Sequence, residues 1–296
     1  MEDRAMSAET IFTPARSKKT KEILQKLILY LLAISLAVVL VFPLFWMVST
    51  SLKTDEEANA PKPIWLPAKP QLDAYQQILS DPDWLGYIAN SVFVTFLAVG
   101  GTLASVTIVA FAFSRLEWPG RNVVFYLMLS TLMLPLQATL VPQYVLFNQL
   151  GWINTFNPIT IPGYFAGGAA MVFLLRQFML SIPKELDEAA LVDGASYFQI
   201  FWHVILPNTK PALTTVGLFL FVGHWNSLQL PLIYLQKREL QTLPMAILNL
   251  YNPQQTRQPW TLIMATSLLA VVPLIVVFLL VQRYFVESIV LTGTKG

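Results

Sequence analysis

The sequence predicts an all-α integral membrane protein of about six transmembrane helices, and three observations carry that expectation. Apolar residues make up 55% of the 296-residue chain and charged residues only 12%, about half the charge of an average soluble protein. A chain so poor in charge cannot clothe a globule of this size in polar surface, so hydrocarbon must solvate much of its length. The apolar residues gather into six blocks, at about 27–50, 88–113, 123–147, 159–178, 212–235 and 260–281, each near the ~20 residues a helix needs to cross a bilayer. Between the fourth and fifth blocks lies a charged, turn-rich stretch at 181–211, flanked on both sides by apolar sequence.

The first block follows a polar tail, residues 1–25, in which Arg16, Lys18, Lys19 and Lys21 precede the apolar run. That run is too long for the core of a signal peptide, and no small-residue cleavage site precedes Lys53. Phe45-Trp46 stands there instead as an interfacial anchor, so a retained first helix is expected. Residues 54–83 hold Asp55, Glu56, Glu57, Asp73, Asp81 and Asp83, with prolines at 61, 63, 67 and 70. They predict an irregular loop with a short helix over about 73–79. The second block closes at Ser114-Arg115 and the turn Trp118-Pro119-Gly120-Arg121, and the third is interrupted by Pro135 and Pro142. The fifth ends in Trp225-Asn226-Ser227-Leu228-Gln229-Leu230-Pro231-Leu232. The last loop, 236–259, is long for a connection between helices, which suits either a docking surface or an exposed linker.

Lysine and arginine set the expected orientation. With the N-terminus in the cytoplasm, only Lys53, Lys62, Lys69, Lys237, Arg238 and Arg257 fall outside, and the remaining thirteen of 19 fall inside. Both termini are therefore expected in the cytoplasm, together with the 181–211 loop.

Several classes of function lose support from composition. A formal charge of +2 and no basic stripe argue against a nucleic-acid partner. Cysteine is absent, which removes disulfides, thiolate metal sites and cysteine nucleophiles. The only histidines, His203 and His224, have no acid or second histidine at ligand spacing, so no metal site is expected. There is no G-x-x-x-x-G-K-[ST] phosphate loop and no serine in a nucleophile elbow. The chain is expected to be a non-catalytic membrane protein without a cofactor of its own.

The 181–211 stretch reads as a helix, an elbow and a second helix. Pro183 suits the first position of a helix, Lys184–Val192 are good helix formers, and Gly194 supplies a left-handed stop. Ser196 with Gln199 three residues on is a capping box. It opens an apolar helix through Tyr197, Phe198, Ile200, Phe201, Trp202, Val204 and Ile205, which Pro207 is expected to break. Glu188-Ala189-Ala190, three residues, Gly194, nine residues, then Val204-Ile205-Leu206-Pro207 resembles the EAA loop of ABC-importer permeases, with Val204 where the pattern has Ile.

Further stretches are similar to the carbohydrate branch of that family, the maltose-transporter type. They are Phe42-Pro43-Leu44 to Lys53, Ala110–Arg115 with Gly120-Arg121, Met133-Leu134-Pro135 with Pro142, Leu150-Gly151 with Asn154-Thr155, Trp225-Asn226 with Pro231-Leu232, and the tail Gln282–Phe285 and Leu291–Gly296. Together they span about residues 25–296. The resemblance implies a type I ABC-importer permease fold over 26–296, in a prokaryotic inner membrane. It also implies a sister permease, an ABC ATPase dimer that binds the ATP, and an extracytoplasmic solute-binding protein as partners, with lipid around the spans. It assigns ATPase coupling to Glu188, Ala189, Ala190, Asp193, Gly194, Leu206 and Pro207, with Asp193 serving the turn.

No charged side chain stands in the middle of an apolar block, which favours a neutral polar cargo over an ion. Gln137, Tyr144, His224, Trp225, Asn226 and Gln229 are the candidates for the substrate path, offering hydrogen bonds and aromatic faces that suit a sugar. Hydrogen bonding between helices is the competing use of the same residues. Asn226 and Gln229 stand out because nearby Pro231 is expected to open the helix toward a cavity. Glycerol-phosphate, a polyol or another osmolyte fits these residues as well as a disaccharide does. A secondary transporter, for which an internal repeat is expected, and a membrane scaffold are the rival functions.

Overall fold

The computed structural model describes residues 15–293, with side chains from 22 to 282. The first part of the polar tail and Thr294-Lys295-Gly296 lie outside the described residues, as do the side chains of Arg283-Tyr284-Phe285. The long helices are α1 (Ala15–Ser51), α2 (Asp73–Ser80), α3 (Pro82–Arg115), α4 (Arg121–Ser130) and α5 (Leu136–Gln149). They continue as α6 (Ala169–Ser181), α7 (Glu185–Val192), α8 (Lys210–Trp225), α9 (Leu243–Leu250) and α10 (Trp260–Gly293). Four segments are long and apolar enough to cross a membrane singly, Glu22–Ser51, Pro82–Arg115, Asn157–Ser181 and Trp260–Gln282. Two bent pairs bring the number to six if each pair is one span.

Residues 15–25 are helical and continue without a break into the first span within α1. Apolar side chains cover α1 all round, and those from Ile23 to Val41 are exposed, as befits a helix solvated by lipid. Only its last turn is buried, where Ser51 Oγ lies 2.8 Å from Tyr75 Oη and Lys53 Nζ sits 4.1 Å from the centre of the Trp46 ring.

The helix α3 organises the rest. Asp81 caps it by accepting from the Asp83 amide at 2.9 Å, and Pro82 follows at a position where no amide is needed. That cap starts the helix six residues before the apolar block. One face carries Ser91, Thr95, Ala98, Thr102, Val106, Ala110 and Ser114, all buried. Small and hydroxyl-bearing residues at three- and four-residue spacing let neighbouring helices approach closely, which is how helices associate in lipid. α6 and α8 pack on α3, and α10 packs on α1 and α8.

Breaks in the other spans depart from simple rods. The third span bends by 100° between Arg121–Met133 and Leu136–Gln149. Pro135 sits at that break, whereas Pro142 is absorbed inside α5. The fourth runs from Asn157 through a 3₁₀ turn at Ile161–Tyr164, then an irregular Phe165–Gly168 with Ala166 at φ +56°, before α6 begins. The fifth ends at Trp225, not at Leu235, and resumes as a short helix at Gln229–Tyr234. Pro231 lies within that short helix; with no N–H, and a ring that crowds the carbonyl four residues earlier, it cannot continue α8 through Ser227. The opening therefore falls at 226–228, ahead of the proline.

The last loop is packed, not free. α9 buries Leu243, Met245 and Ala246, Asn90 donates to the carbonyls of Glu239 and Gln241, and Asn59 and Gln258 exchange two hydrogen bonds. Thr261 Oγ1 donates to Asp55 at 2.6 Å. The first and last loops thus form one continuous surface.

Ala98 is fully buried on the α3 face, so Ala98→Leu is expected to overpack it by about 1–3 kcal/mol. A lower melting temperature in detergent, with membrane insertion kept, is the expected result; an unchanged one contradicts the close-packed face.

Candidate functional site: the 181–211 loop and the broken spans

At one end of the molecule, α7 projects from the bundle between two turns. It begins at Glu185, two residues later than Pro183 suggests, because Lys184 supplies the first carbonyl, accepting from Glu188 at 3.0 Å. It ends in paired bonds, Gly194 N–H to the Leu191 carbonyl at 3.0 Å and Ala195 N–H to Ala190 at 2.9 Å. This double closure needs a left-handed residue, and Gly194 has φ +83°. Asp193 caps α7 and is exposed, consistent with a part in the turn. The Ser196–Gln199 capping box forms, with Gln199 Oε1 accepting from the Ser196 amide at 2.8 Å.

The helix that follows runs through Asn208, with one π turn at Phe201–Ile205. Pro207 does not break it. The wider turn lets Leu206 N–H reach the Phe201 carbonyl, and Asn208 Nδ2 bonds the Val204 carbonyl at 2.7 Å. The break comes at Thr209, where the chain bends by 77° into α8. Ile200, Phe201 and Ile205 are buried against α3 residues such as Val106, Ala110 and Phe111.

The loop presents a mixed surface. Glu188 and Ala189 are exposed, Ala190 and Leu206 are half-buried against the core, and Pro207 is exposed. Glu188 makes no side-chain bond among the described residues, and beside it Val192 is 88% exposed.

Sequence reasoning missed the residues that tether this loop. Arg115, at the end of α3, donates from Nη2 to the Ile182 carbonyl at 2.9 Å and places Nε 3.1 Å from Asp187 Oδ2. Arg121 Nη1 donates to the Leu116 carbonyl at 3.0 Å and Arg176 Nε to that of Phe113 at 3.2 Å. Cations at a helix C-terminus are favoured there. Burial raises the Asp187 carboxyl above its ordinary pKa, outweighing the opposing charges of Arg115 and Lys184, while Glu188 adds to the rise. A cleft of about 470 Å³ opens beside the pair, lined by Glu117, Trp118, Glu188, Leu191 and Tyr197. The F-S-R at the end of the second block was the available signal.

The path candidates do not form one cluster. Gln137 is exposed just past the Pro135 break. Tyr144 stacks on Tyr234 at 6.2 Å, in the cluster that also takes in Leu228 and Leu230, the neighbours of exposed Gln229. Asn226 is exposed and donates to the Val222 carbonyl at 3.0 Å. His224 is half-buried. Trp225 is 3% exposed, stacks on Phe221 and donates to the Ala270 carbonyl at 2.8 Å, so its ring packs the core between α8 and α10. Large apolar residues beside two of the breaks are exposed. Met133, Leu134 and Phe165 are 84%, 61% and 80% exposed, and the 3₁₀ turn Thr131–Met133 lies against α6.

Residues 101–290 match the family model described as the binding-protein-dependent transport system inner membrane component. The chain belongs to this family. It is similar to the trehalose/maltose transport system permease protein MalG of Thermococcus litoralis, 31% identical over 93% of this chain and 99% of that one. It is also similar to the galactooligosaccharides transport system permease protein GanQ of Bacillus subtilis, 33% identical over 94% and 98%. A chain in the crystal structure of a bacterial ABC transporter involved in the import of the acidic polysaccharide alginate superposes with a TM-score of 0.77. It is 26% identical, and the match covers 93% of this chain and 100% of that one. This inner-membrane component therefore has the fold of an ABC-importer permease.

Glycine's left-handed conformation at the elbow makes a graded prediction. Asn tolerates that region, while a β-branched residue there costs roughly 1–2 kcal/mol or more. Melting temperature is expected to fall in the order wild type, Gly194→Asn, Gly194→Val; equal values for Asn and Val contradict the geometry.

Proposed function

We propose that this chain is the permease subunit of an ATP-driven, binding-protein-dependent importer for a sugar or oligosaccharide. It lines half of the translocation pore, a sister permease completes the pore, and the 181–211 loop couples both to an ATPase pair. The loop carries the reading: a short helix closed by Gly194 presents Glu188 and Val192 outward, with no partner for that surface among the described residues. Its N-terminal and C-terminal attachments reach different spans, so a partner that moves it moves the bundle. The orientation expected from lysine and arginine puts this end in the cytoplasm, where the ATPase resides.

Polar backbone cannot face lipid. The breaks at 134–135, 165–168 and 226–228 therefore face protein or a water-filled path. One chain gives one wall of such a path, which supports a sister permease opposite. Gln137, Asn226 and Gln229 stand at two of these breaks, and Tyr144 backs one of them. Uncharged amides with an aromatic face suit hydroxyl-rich cargo. The sugars and oligosaccharides named for the relatives, and alginate for the solved structure, support that class. The joined loops at the opposite end, from Asp55 to Asn59 and from Gln236 to Thr261, form the surface that receives the solute-binding protein.

A gentle-detergent pull-down, followed by reconstitution, tests this function. The expected result is co-purification with an ATPase carrying a phosphate loop and with a second multi-span permease. Liposomes loaded with ATP and supplied with the binding protein should then take up an oligosaccharide. Solute movement by this chain alone without ATP contradicts the proposal, and uptake confined to a glycerol-phosphate or polyol replaces the cargo.

A further inference from the structure

The helix α7 has no buried side chain, and at eight residues it is far below the length at which a helix stands alone in water. Apart from Ala190, which packs partly against the core, packing gives it little hold, and force applied to it leaves mainly through its two ends. The C-terminal end passes through the Gly194 elbow to Ile200, Phe201 and Ile205, which are buried in the core beneath α8. The N-terminal end is held by Arg115. That side chain is 2% exposed and Asp187's 14%, and the guanidinium also grips the Ile182 carbonyl at the end of α6. One side chain of α3 thus fastens α6 and α7 together.

We propose that the Arg115–Asp187 pair is a positioning device that transmits the movement of α7 to α3, the helix on which α6 and α8 pack. The proposal rests on the reading of 181–211 as the ATPase-facing loop. Among the described residues the other ion pair, Arg238–Asp83, lies at the opposite end, and its side chains are 74% and 51% exposed. Exposed pairs contribute little, whereas a buried pair resists the removal of either partner because the other charge is left stranded. Here that resistance is directional. Nε and Nη1 of Arg115 and Oδ1 of Asp187 are buried without hydrogen-bond partners among the described residues, so charge attraction at 3.1 Å, with the Nη2 bond to the Ile182 carbonyl, is what compensates the pair. Separating α7 from α3 would strand both charges, and the two helices are constrained to travel together. Without the pair, a stroke on α7 reaches the bundle only through the elbow and α8.

The test uses the complete importer, this chain with its sister permease, ATPase and binding protein, in liposomes. It reads solute imported per ATP hydrolysed, together with retention of the ATPase on the permease. Arg115→Gln and Asp187→Asn are each expected to keep the ATPase bound while lowering solute per ATP at least about fivefold, the lower end of ordinary coupling between sites. The double variant is expected to be no worse than the worse single, because the residues act through one another. An unchanged ratio in both singles, or losses that multiply in the double, overturns the proposal. If either single fails to insert, the double variant, which strands no charge, is the readout, and a normal ratio there overturns it equally. Glu188→Ala and Gly194→Val run alongside. If all four single variants leave the ratio unchanged, the loop reading fails and takes the tether with it. If only the Arg115 and Asp187 variants do, the tether alone fails.

Discussion

A peptide group in hydrocarbon has no water to bond, and the architecture follows from that constraint. Where the chain must cross lipid exposed on most sides, it does so as unbroken helix: α1 shows apolar side chains all round from Ile23 to Val41, and α10 runs through Pro273 without a break. Where the helix is interrupted, at 134–135, 165–168 and 226–228, freed backbone groups require neighbours that are not lipid. At 165–168 an α3 side chain supplies one of them, and a side chain of the adjoining turn bonds the α3 backbone. Ser105 Oγ accepts from the Ala166 amide at 2.9 Å, and Tyr164 Oη donates to the Leu97 carbonyl at 3.0 Å. The interruption of the fourth span is thus held against the central helix.

The same helix joins the two ends. At its start, Asn90 and Ser91 hold the last loop through three backbone bonds. At its finish, Arg115 holds α6 and α7. Between them the buried Ser91, Thr95, Ala98, Thr102, Val106 and Ala110 face gives α6 and α8 a close seat. A membrane component that must pass movement from one surface to the other benefits from a single stiff element anchored at both.

Local features were legible in the sequence and distant ones were not. The Gly194 elbow and the Ser196–Gln199 box depend on residues three to five apart, so their chemistry fixed their geometry. The six blocks were legible because bilayer thickness sets helix length. Proline was read less well. Pro207 passes within a helix because a π turn re-routes the carbonyls, and Pro231 acts on the turn before it. Trp225 offered an aromatic face to a sugar in sequence, but the Ala270 carbonyl, 45 residues away, consumes its N–H. The Arg115–Asp187 pair joins different helices, and no spacing rule reaches that far. The motif points to Glu188, which stays exposed, while its neighbour Asp187 turns toward Arg115.

The account depends most on the breaks bordering water at membrane depth. The chain has no cysteine, so single cysteines at Leu134, Phe165 and Ser227 can be compared in native membranes with ones at Leu29 and Leu40 on α1. A small hydrophilic thiol reagent is predicted to label the first three and to leave the α1 pair untouched. Labelling of the α1 positions with protection of all three breaks would contradict it, placing the broken backbone in a dry interior and the water path elsewhere.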